Sequence, residues 1–458
     1  MPFIVRESGA ATEAAIESLG PASARTFEAT LEMVPRNCIL KPPYKNVKVP
    51  SFSVSGQITA FASPDSTFAV TKRLLDAAKK TIAIGIYDFS ATYVASLLKD
   101  AMARHVKVTL MLDTDHVKGE DEIFRDLKSL GATCVSAPSC ASENKSAHFF
   151  RSSHEKFIVI DGEICIVQSG NYSNNSIPLN VLDGKAGARF RTGNRDMGVA
   201  LQSKAMASFL TGILDADIKL ELDTPEALAM AAAAVTPPPL LVEAAPAKRP
   251  DTLFPSKTFP LTKPLTVRPI LSPDNYMQVI PDILKVAKKS VLIQQQYIHS
   301  ADPPVAQLLQ AIADARKANP KLDVRIFLGK IFSNKDLAKE KTNLANIKAK
   351  YKLKISTNIR YVDTTRLVHC HNKLIIVDGE TVLVSSQNWS RAAVTENREA
   401  GLLFKHSGVA SYFTGIFEVD WKTAQKKLPA TIGAGVTSPE SLKKGGFIEV
   451  AAADYQQL

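Results

Sequence analysis

Two long stretches of the chain carry the same succession of hydrophobic patterns. ASPDSTFAVTKRLLDAAKKTIAIGIYDFSA, residues 62–91, opens on a Ser-Pro-Asp turn or helix cap. It then runs through an amphipathic helix ending in Ala-Lys-Lys and passes into an apolar strand ending at Tyr87. LSPDNYMQVIPDILKVAKKSVLIQQQYIHSA, residues 271–301, repeats the order and ends its strand at Tyr297. A helix and another strand follow in both, SLLKDAMARHVKVTLMLD and QLLQAIADARKANPKLDVRIFLG. Strand and helix alternate, so each half reads as α/β, a mixed sheet covered by helices.

The repetition continues in HEKFIVIDGEICIVQSGNYS, from His154, and HNKLIIVDGETVLVSSQNWS, from His371. His154 and His371, Lys156 and Lys373, Asp161 and Asp378, and Asn171 and Asn388 are all 217 residues apart. Further on, Asp196 pairs with Glu399 and Asp217 with Asp420 at an offset of 203. The shift of 14 is one insertion in the first half, within residues 173–196. Register held on both sides of a single gap marks a tandem duplication.

On a strand, residues i and i+2 share a face, so His154 with Lys156, and His371 with Lys373, project together. Asp161-Gly162 and Asp378-Gly379 are hairpin dipeptides that return the chain antiparallel. The return strand brings Ser169 and Asn171, or Ser386 and Asn388, alongside. A cluster of imidazole, ammonium, hydroxyl and amide results. One histidine beside a lysine is commonly only a solvated strand end, but two copies in register argue for chemistry. A metal is the second reading, prompted by His369, Cys370 and His371. The first copy has Ser152 and Ser153 before His154, and neither copy has a carboxylate spaced to complete a hard-cation site. No metal or cofactor is therefore expected, and His369 and Cys370 are set aside as local detail.

The two motifs resemble the signature of the phospholipase D superfamily: His-x-Lys-x4-Asp, six residues, Gly-Ser-x-Asn, and an acid further on. The similarity runs from about residue 60 to about residue 425. Gln168 and Ser385 replace the glycine before the serine, and the first copy's acid, Asp196, follows the insertion. The resemblance implies two α/β/α sandwich domains packed around a pseudo-twofold axis, with both motifs in one active site. It implies metal-independent phosphodiester chemistry through a covalent phosphohistidine, with His154 as nucleophile and His371 as acid/base. Lys156, Lys373, Asn171 and Asn388 would hold the phosphate. Asp196 and Glu399 would orient the histidines, and Ser169 and Ser386 would donate from behind. Asp161 and Asp378 belong to the catalytic motifs, yet their place at the hairpins reads as structural support.

Length and composition sharpen this only in part. The 458 residues divide into an N-terminal extension (1–55), a first domain (56–225), an Ala/Pro-rich linker (226–262), a second domain (263–430) and a C-terminal tail (431–458). The charge of +11 fits an anionic partner: nucleic acid, anionic lipid or a small phosphate ester. Five cysteines without repeated spacing are expected as free thiols rather than as a Cys134–Cys140 bridge. Neither a signal peptide nor a membrane-spanning run is read, so a cytoplasmic protein, or one exported by a signal-less route, is expected. Two motifs in one chain resemble the lipid-hydrolysing branch, which yields phosphatidic acid and an alcohol and can exchange alcohols. A monomer with peripheral membrane contact and no obligate protein partner would follow. The lysine-rich stretch 335–354 keeps a nuclease as the alternative. A non-enzymatic binding module would predict decay of one motif, and both are intact.

Overall fold

The computed structural model describes residues 3–6, 40, 44–113, 119–142, 149–179, 193–222, 253–432 and 447–450. Most of the expected N-terminal extension, linker and C-terminal tail lies outside the described residues, as does 180–192 of the insertion. Strand β1 (Phe3–Arg6) stands apart from the main sheet. The first half then comprises β2 (Phe52–Ser63), α1 (Thr67–Asp76), β3 (Thr81–Ile86), α2 (Thr92–Ala103), β4 (Lys107–Leu112), α3 (Glu120–Ser129), β5 (Thr133–Ser136), β6 (Lys156–Ile160), β7 (Ile164–Gln168), β8 (Asp196–Gln202) and α4 (Lys204–Leu222). The second half repeats it with β9 (Lys257–Ser272), α5 (Tyr276–Lys285), β10 (Ser290–Gln295), α6 (Pro303–Ala318), β11 (Asp323–Leu328), α7 (Asn334–Tyr351), β12 (Ile359–Tyr361), β13 (Leu374–Val377), β14 (Thr381–Ser385), α8 (Arg391–Thr395), β15 (Glu399–Lys405) and α9 (Ser407–Thr423). Strand β16 (Phe447–Val450) pairs antiparallel with β1.

All strands from β2 to β15 lie in one 14-stranded sheet, in the order β12-β11-β10-β13-β14-β15-β9-β2-β8-β7-β6-β3-β4-β5. The order reads alike from either end when the halves are exchanged, which places the pseudo-twofold at the antiparallel β2–β9 seam. The seam reaches past the boundaries expected from sequence. Strand β9 starts at Lys257, inside the expected linker, and β2 at Phe52, inside the expected extension. The halves also share a core: Met206, Leu210 and Ile213 of α4 join Phe413, Ile416 and Phe417 of α9 under the sheet. Each half has a further core of its own, between the sheet and helices α1–α3 or α5–α8. The halves are thus welded by strand pairing and by apolar burial.

Ladder register corrects one equivalence. Gly85 faces Phe157 and Gln294 faces Leu374, so β3 and β10 match at an offset of 209, whereas the tyrosines are 210 apart. Tyr87 therefore corresponds to Gln296, and Tyr297 to Asp88. A slip of one residue reverses the face of a strand, so the two tyrosines meet the site differently. The thiols are a second correction. Cys140 is disulfide-bonded, while Cys134, Cys165 and Cys370 are free and buried. Sequence spacing carries no information on which thiols meet in space.

The hairpin aspartates do as their position implies. Asp161 (φ 54°) and Gly162 (φ 64°), like Asp378 (φ 56°) and Gly379 (φ 71°), both have positive φ, the backbone of a tight hairpin turn. The Asp161 carboxylate accepts backbone N–H bonds from Lys79, Lys80 and Thr81 at 2.6–2.9 Å, and Asp378 repeats this with Lys288, Lys289 and Ser290 at 2.6–3.0 Å. Each fixes the start of the neighbouring strand, β3 or β10. Five residues of strand, about 16 Å, separate each from the motif lysine, so neither joins the histidine cluster.

Two buried arginines cross between the halves. Arg195, beside β8, binds Asp420 of α9 at 2.9 and 3.1 Å and reaches Asp65 at 3.4 Å. Arg398, beside β15, binds Asp217 of α4 at 2.6 and 2.9 Å and Asp274 at 2.7 Å. The aspartates of the Ser-Pro-Asp turns and those repeated at an offset of 203 are the partners of these guanidinium groups.

Asp161→Asn keeps a residue that tolerates positive φ but removes the charge that three amides share. It should lower stability by about 1–3 kcal/mol in urea unfolding, with turnover per folded molecule unchanged. Asp420→Ala leaves Arg195 buried without its bidentate partner and should cost about 3–5 kcal/mol. Because that pair ties the halves together, the midpoint of the whole transition should fall. A separate early transition confined to one half would contradict this.

Candidate active site

The two motif histidines meet at the pseudo-twofold, each held by the other half. The backbone N–H of His154 donates to Arg398 O at 2.7 Å, and that of His371 to Arg195 O at 3.1 Å. The arginine amides donate back, Arg398 to Ser152 O at 2.9 Å and Arg195 to His369 O at 2.8 Å. The next residue in each case supplies a carboxylate: His154 Nδ1 lies 2.8 Å from Glu399 Oε2, and His371 Nδ1 lies 3.0 Å from Asp196 Oδ1. The Arg-Asp and Arg-Glu dipeptides therefore clasp the opposite histidine by main chain and side chain at once. Both rings are about 95% buried.

Lys156 and Lys373 are fully buried beneath the rings. Lys156 Nζ donates to His154 O at 2.6 Å and lies 5.1 Å from the centre of the Tyr87 ring, which packs edge-on against His154. Lys373 Nζ donates to His371 O and sits 3.1 Å from His371 Nε2. That contact caps the Nε2 lone pair, so Nδ1 carries the proton and donates it to Asp196. Behind the rings, Ser169 Oγ donates to Asp196 Oδ1 at 2.8 Å, and Ser386 Oγ accepts from Ala400 N at 3.0 Å. Asn171 donates to Asp88 Oδ2 at 3.4 Å, so one N–H of its amide remains for a ligand. Among the described residues, the buried Oδ1 atoms of Asn171 and Asn388 have no partner.

The near-symmetry of geometry is not matched by charge. Burial pushes Lys156 down to about 7 and Lys373 to about 8, against the pull of the two carboxylates. Burial lifts Glu399 to about 8, with Lys156 opposing. Burial would lift Asp196 too, but His371, Lys373 and the Ser169 hydroxyl outweigh it and hold its pKa below the usual carboxylate value. His371 is driven down to about 4 by burial and by Lys373, so its ring is neutral in the free protein. One histidine thus faces a carboxylate whose pKa is held low and the other a carboxyl group whose pKa burial raises.

Ten of the twelve candidate site residues converge here, and Asp161 and Asp378 do not. Residues that sequence reasoning passed over also line the site. Asn372 Oδ1 lies 2.9 Å from Ser169 Oγ, its amide donates to Gln294 at 2.6 Å, and Gln294 donates to Asp420 at 3.0 Å. His369, set aside above, is buried with its ring centre 6.4 Å from that of His371. The signal for Arg195 and Arg398 was present as Asn-Arg-Asp and Asn-Arg-Glu at corresponding places. For Asn372 and Gln294 no repeat exists, since their counterparts are Glu155 and Gly85. Among the described residues, no group of three or more His, Cys, Asp or Glu side chains is arranged to hold a metal ion, and no helix is long and apolar enough to cross a membrane.

The family profile described as "Cardiolipin synthase, PLD-like domain" matches residues 71–217 and 280–421, one motif in each segment. No curated protein matches the chain. Among solved structures, the phosphatidylserine synthase of Haemophilus influenzae Rd KW20 superposes with a TM-score of 0.55 at 15% identity, covering 83% of this chain and 90% of that one. The phospholipase D family member Nuc from Salmonella typhimurium aligns with a TM-score of 0.28 at 20% identity over 34% of this chain and 91% of its own. NucT from Helicobacter pylori aligns with a TM-score of 0.28 at 17% identity over 36% and 99%. With a profile match over more than half its length, falling once on each half of a duplicated fold, the chain belongs to the phospholipase D superfamily and is an enzyme of its phosphodiesterase kind.

Proposed function

We propose that the chain cleaves a phosphodiester without a metal, through a phosphohistidine at His154, with His371 as acid and then base. The observation that carries this reading is the crossed pair of histidine–carboxylate contacts above two buried lysines. A five-coordinate phosphoryl transition state needs cationic donors where charge accumulates, and Lys156 and Lys373 stand at that place. Glu399, whose pKa burial raises, supports an imidazolium less than Asp196 does, which favours His154 over His371 as the nucleophile. Ionised Asp196 does support one at His371. The arriving phosphate anion offsets the lysine charges that depress His371, so the ring gains the proton that the leaving alcohol needs. His371 would then draw a proton from water, and the hydroxide would break the P–N bond and release the phosphomonoester from His154.

A phospholipid is the preferred substrate, giving phosphatidic acid and an alcohol. Support comes from the presence of both motifs in one chain and from the family description. Nucleic acid is the second reading, favoured by α7 and its continuation, where Lys339, Lys341, Lys348, Lys350, Lys352 and Lys354 are exposed.

In excess EDTA, choline release from phosphatidylcholine vesicles should persist. Nicking of plasmid without choline release would transfer the assignment to nucleic acid, and activity that vanishes in EDTA and returns with a divalent ion would end the metal-free mechanism. His154→Ala and His371→Ala should each lower turnover by at least about 10²–10⁴-fold. The lysines bind phosphate only when charged, that is, below their pKa values of about 7 and about 8. Accordingly kcat/KM should fall as pH rises through that window, whereas a profile flat to pH 10 would show that they do not carry the binding.

A further inference from the structure

The halves differ at one place beside their histidines. In the first half β4 ends at Leu112, and the next residue, Asp113, accepts hydrogen bonds from the hydroxyls of Ser139 and Ser152 (2.8 Å) and from Ser153 N (2.7 Å). In the second half β11 ends at Leu328, the next residue is Gly329, and the counterpart of Ser152 at the 217-residue offset is His369. A Cβ on Gly329 would stand 2.2 Å from His369 Cε1, so the imidazole occupies room that only glycine leaves. The carboxylate–serine pair of one half has become a glycine–histidine pair in the other.

The His369 ring is 94% buried, packs edge-on to Phe332 and faces the His371 side of the site. Its Nδ1 accepts the backbone N–H of Lys330 at 2.9 Å, which places the proton of the neutral ring on Nε2. Burial, together with the cations around it, keeps the ring neutral. Among the described residues Nε2 has no hydrogen-bond partner. A buried N–H is seldom left unpaired unless something else bonds to it.

We propose that His369 is a substrate-binding residue whose Nε2–H donates to an oxygen of the alcohol portion of the phosphodiester, on the His371 side. The proposal rests on the phosphodiester reading above. The phosphate itself meets paired lysines and asparagines related by the pseudo-twofold. A diester is not symmetric about phosphorus, and the His369 donor, whose place in the first half is taken by Ser152, lies next to the histidine that would protonate the leaving alcohol. A hydroxyl-bearing alcohol such as glycerol provides acceptors there.

The test compares binding of inorganic phosphate and of glycerol 1-phosphate by calorimetry to wild type, His369→Met and His369→Gln. The methionine variant should lose about tenfold in affinity for glycerol 1-phosphate, the worth of one hydrogen bond, and keep its affinity for phosphate. The glutamine variant, which retains an N–H donor, should recover part of the loss. In ¹⁵N spectra of the wild-type protein, which need no variant to fold, the His369 Nε2 signal should move with glycerol 1-phosphate and not with phosphate. Equal loss for both ligands, or no loss and no movement of that signal, would overturn the proposal while leaving the phosphate site intact. Failure of the wild type to bind either ligand would instead remove the phosphodiester reading, and this proposal with it.

Discussion

Everything near the site depends on one reciprocal contact. Each half extends an arginine followed by an acid across the pseudo-twofold, and each pair grips the other half's histidine. Arg195 and Arg398 bond through their backbone to the histidine strands, while their guanidinium groups are buried in carboxylates contributed by both halves. A buried guanidinium without such partners would be strongly unfavourable, so the clasp tolerates little displacement. Because the acid directly follows the arginine, fixing the arginine fixes the distance from carboxylate to imidazole. The same contact that joins the halves therefore sets the geometry of the histidine cluster, to which both halves contribute.

Symmetry of fold then permits asymmetry of charge. Aspartate on one side and glutamate on the other, with different neighbours, leave Asp196 ionised and Glu399 with its proton raised to about 8. Two imidazoles in like positions acquire different acid–base character, which a two-step displacement needs. The exchange of Asp113 and Ser152 for Gly329 and His369 extends the asymmetry outward from the two motif histidines.

The fold was legible in the sequence because duplication made each pattern appear twice, with two motifs in constant register. The hairpin turns at Asp161 and Asp378 and the histidine–lysine faces follow from local sequence, whereas the Ser-Pro-Asp segments cap no helix and give their aspartates to Arg195 and Arg398. The crossing of the clasp was not legible, since periodicity says which residues share a strand and nothing about which half they reach. The tyrosines misled for a related reason: two similar letters one residue out of register look equivalent until hydrogen-bonded ladders fix the offset. His369 and Asn372 carry no signal from repetition, because both lie where the repeats diverge. Cys140 shows the same limit, its bond being a fact of spatial proximity alone.

One shared site in a duplicated chain has a direct chemical signature. A single turnover of a phosphodiester labelled at phosphorus, quenched under conditions that preserve phosphohistidine and followed by peptide mapping, counts and locates the covalent intermediate. The account predicts at most one labelled phosphoryl group per chain, carried on the peptide containing His154. Two equivalents per chain, shared between His154 and His371, would mean two independent sites and contradict it.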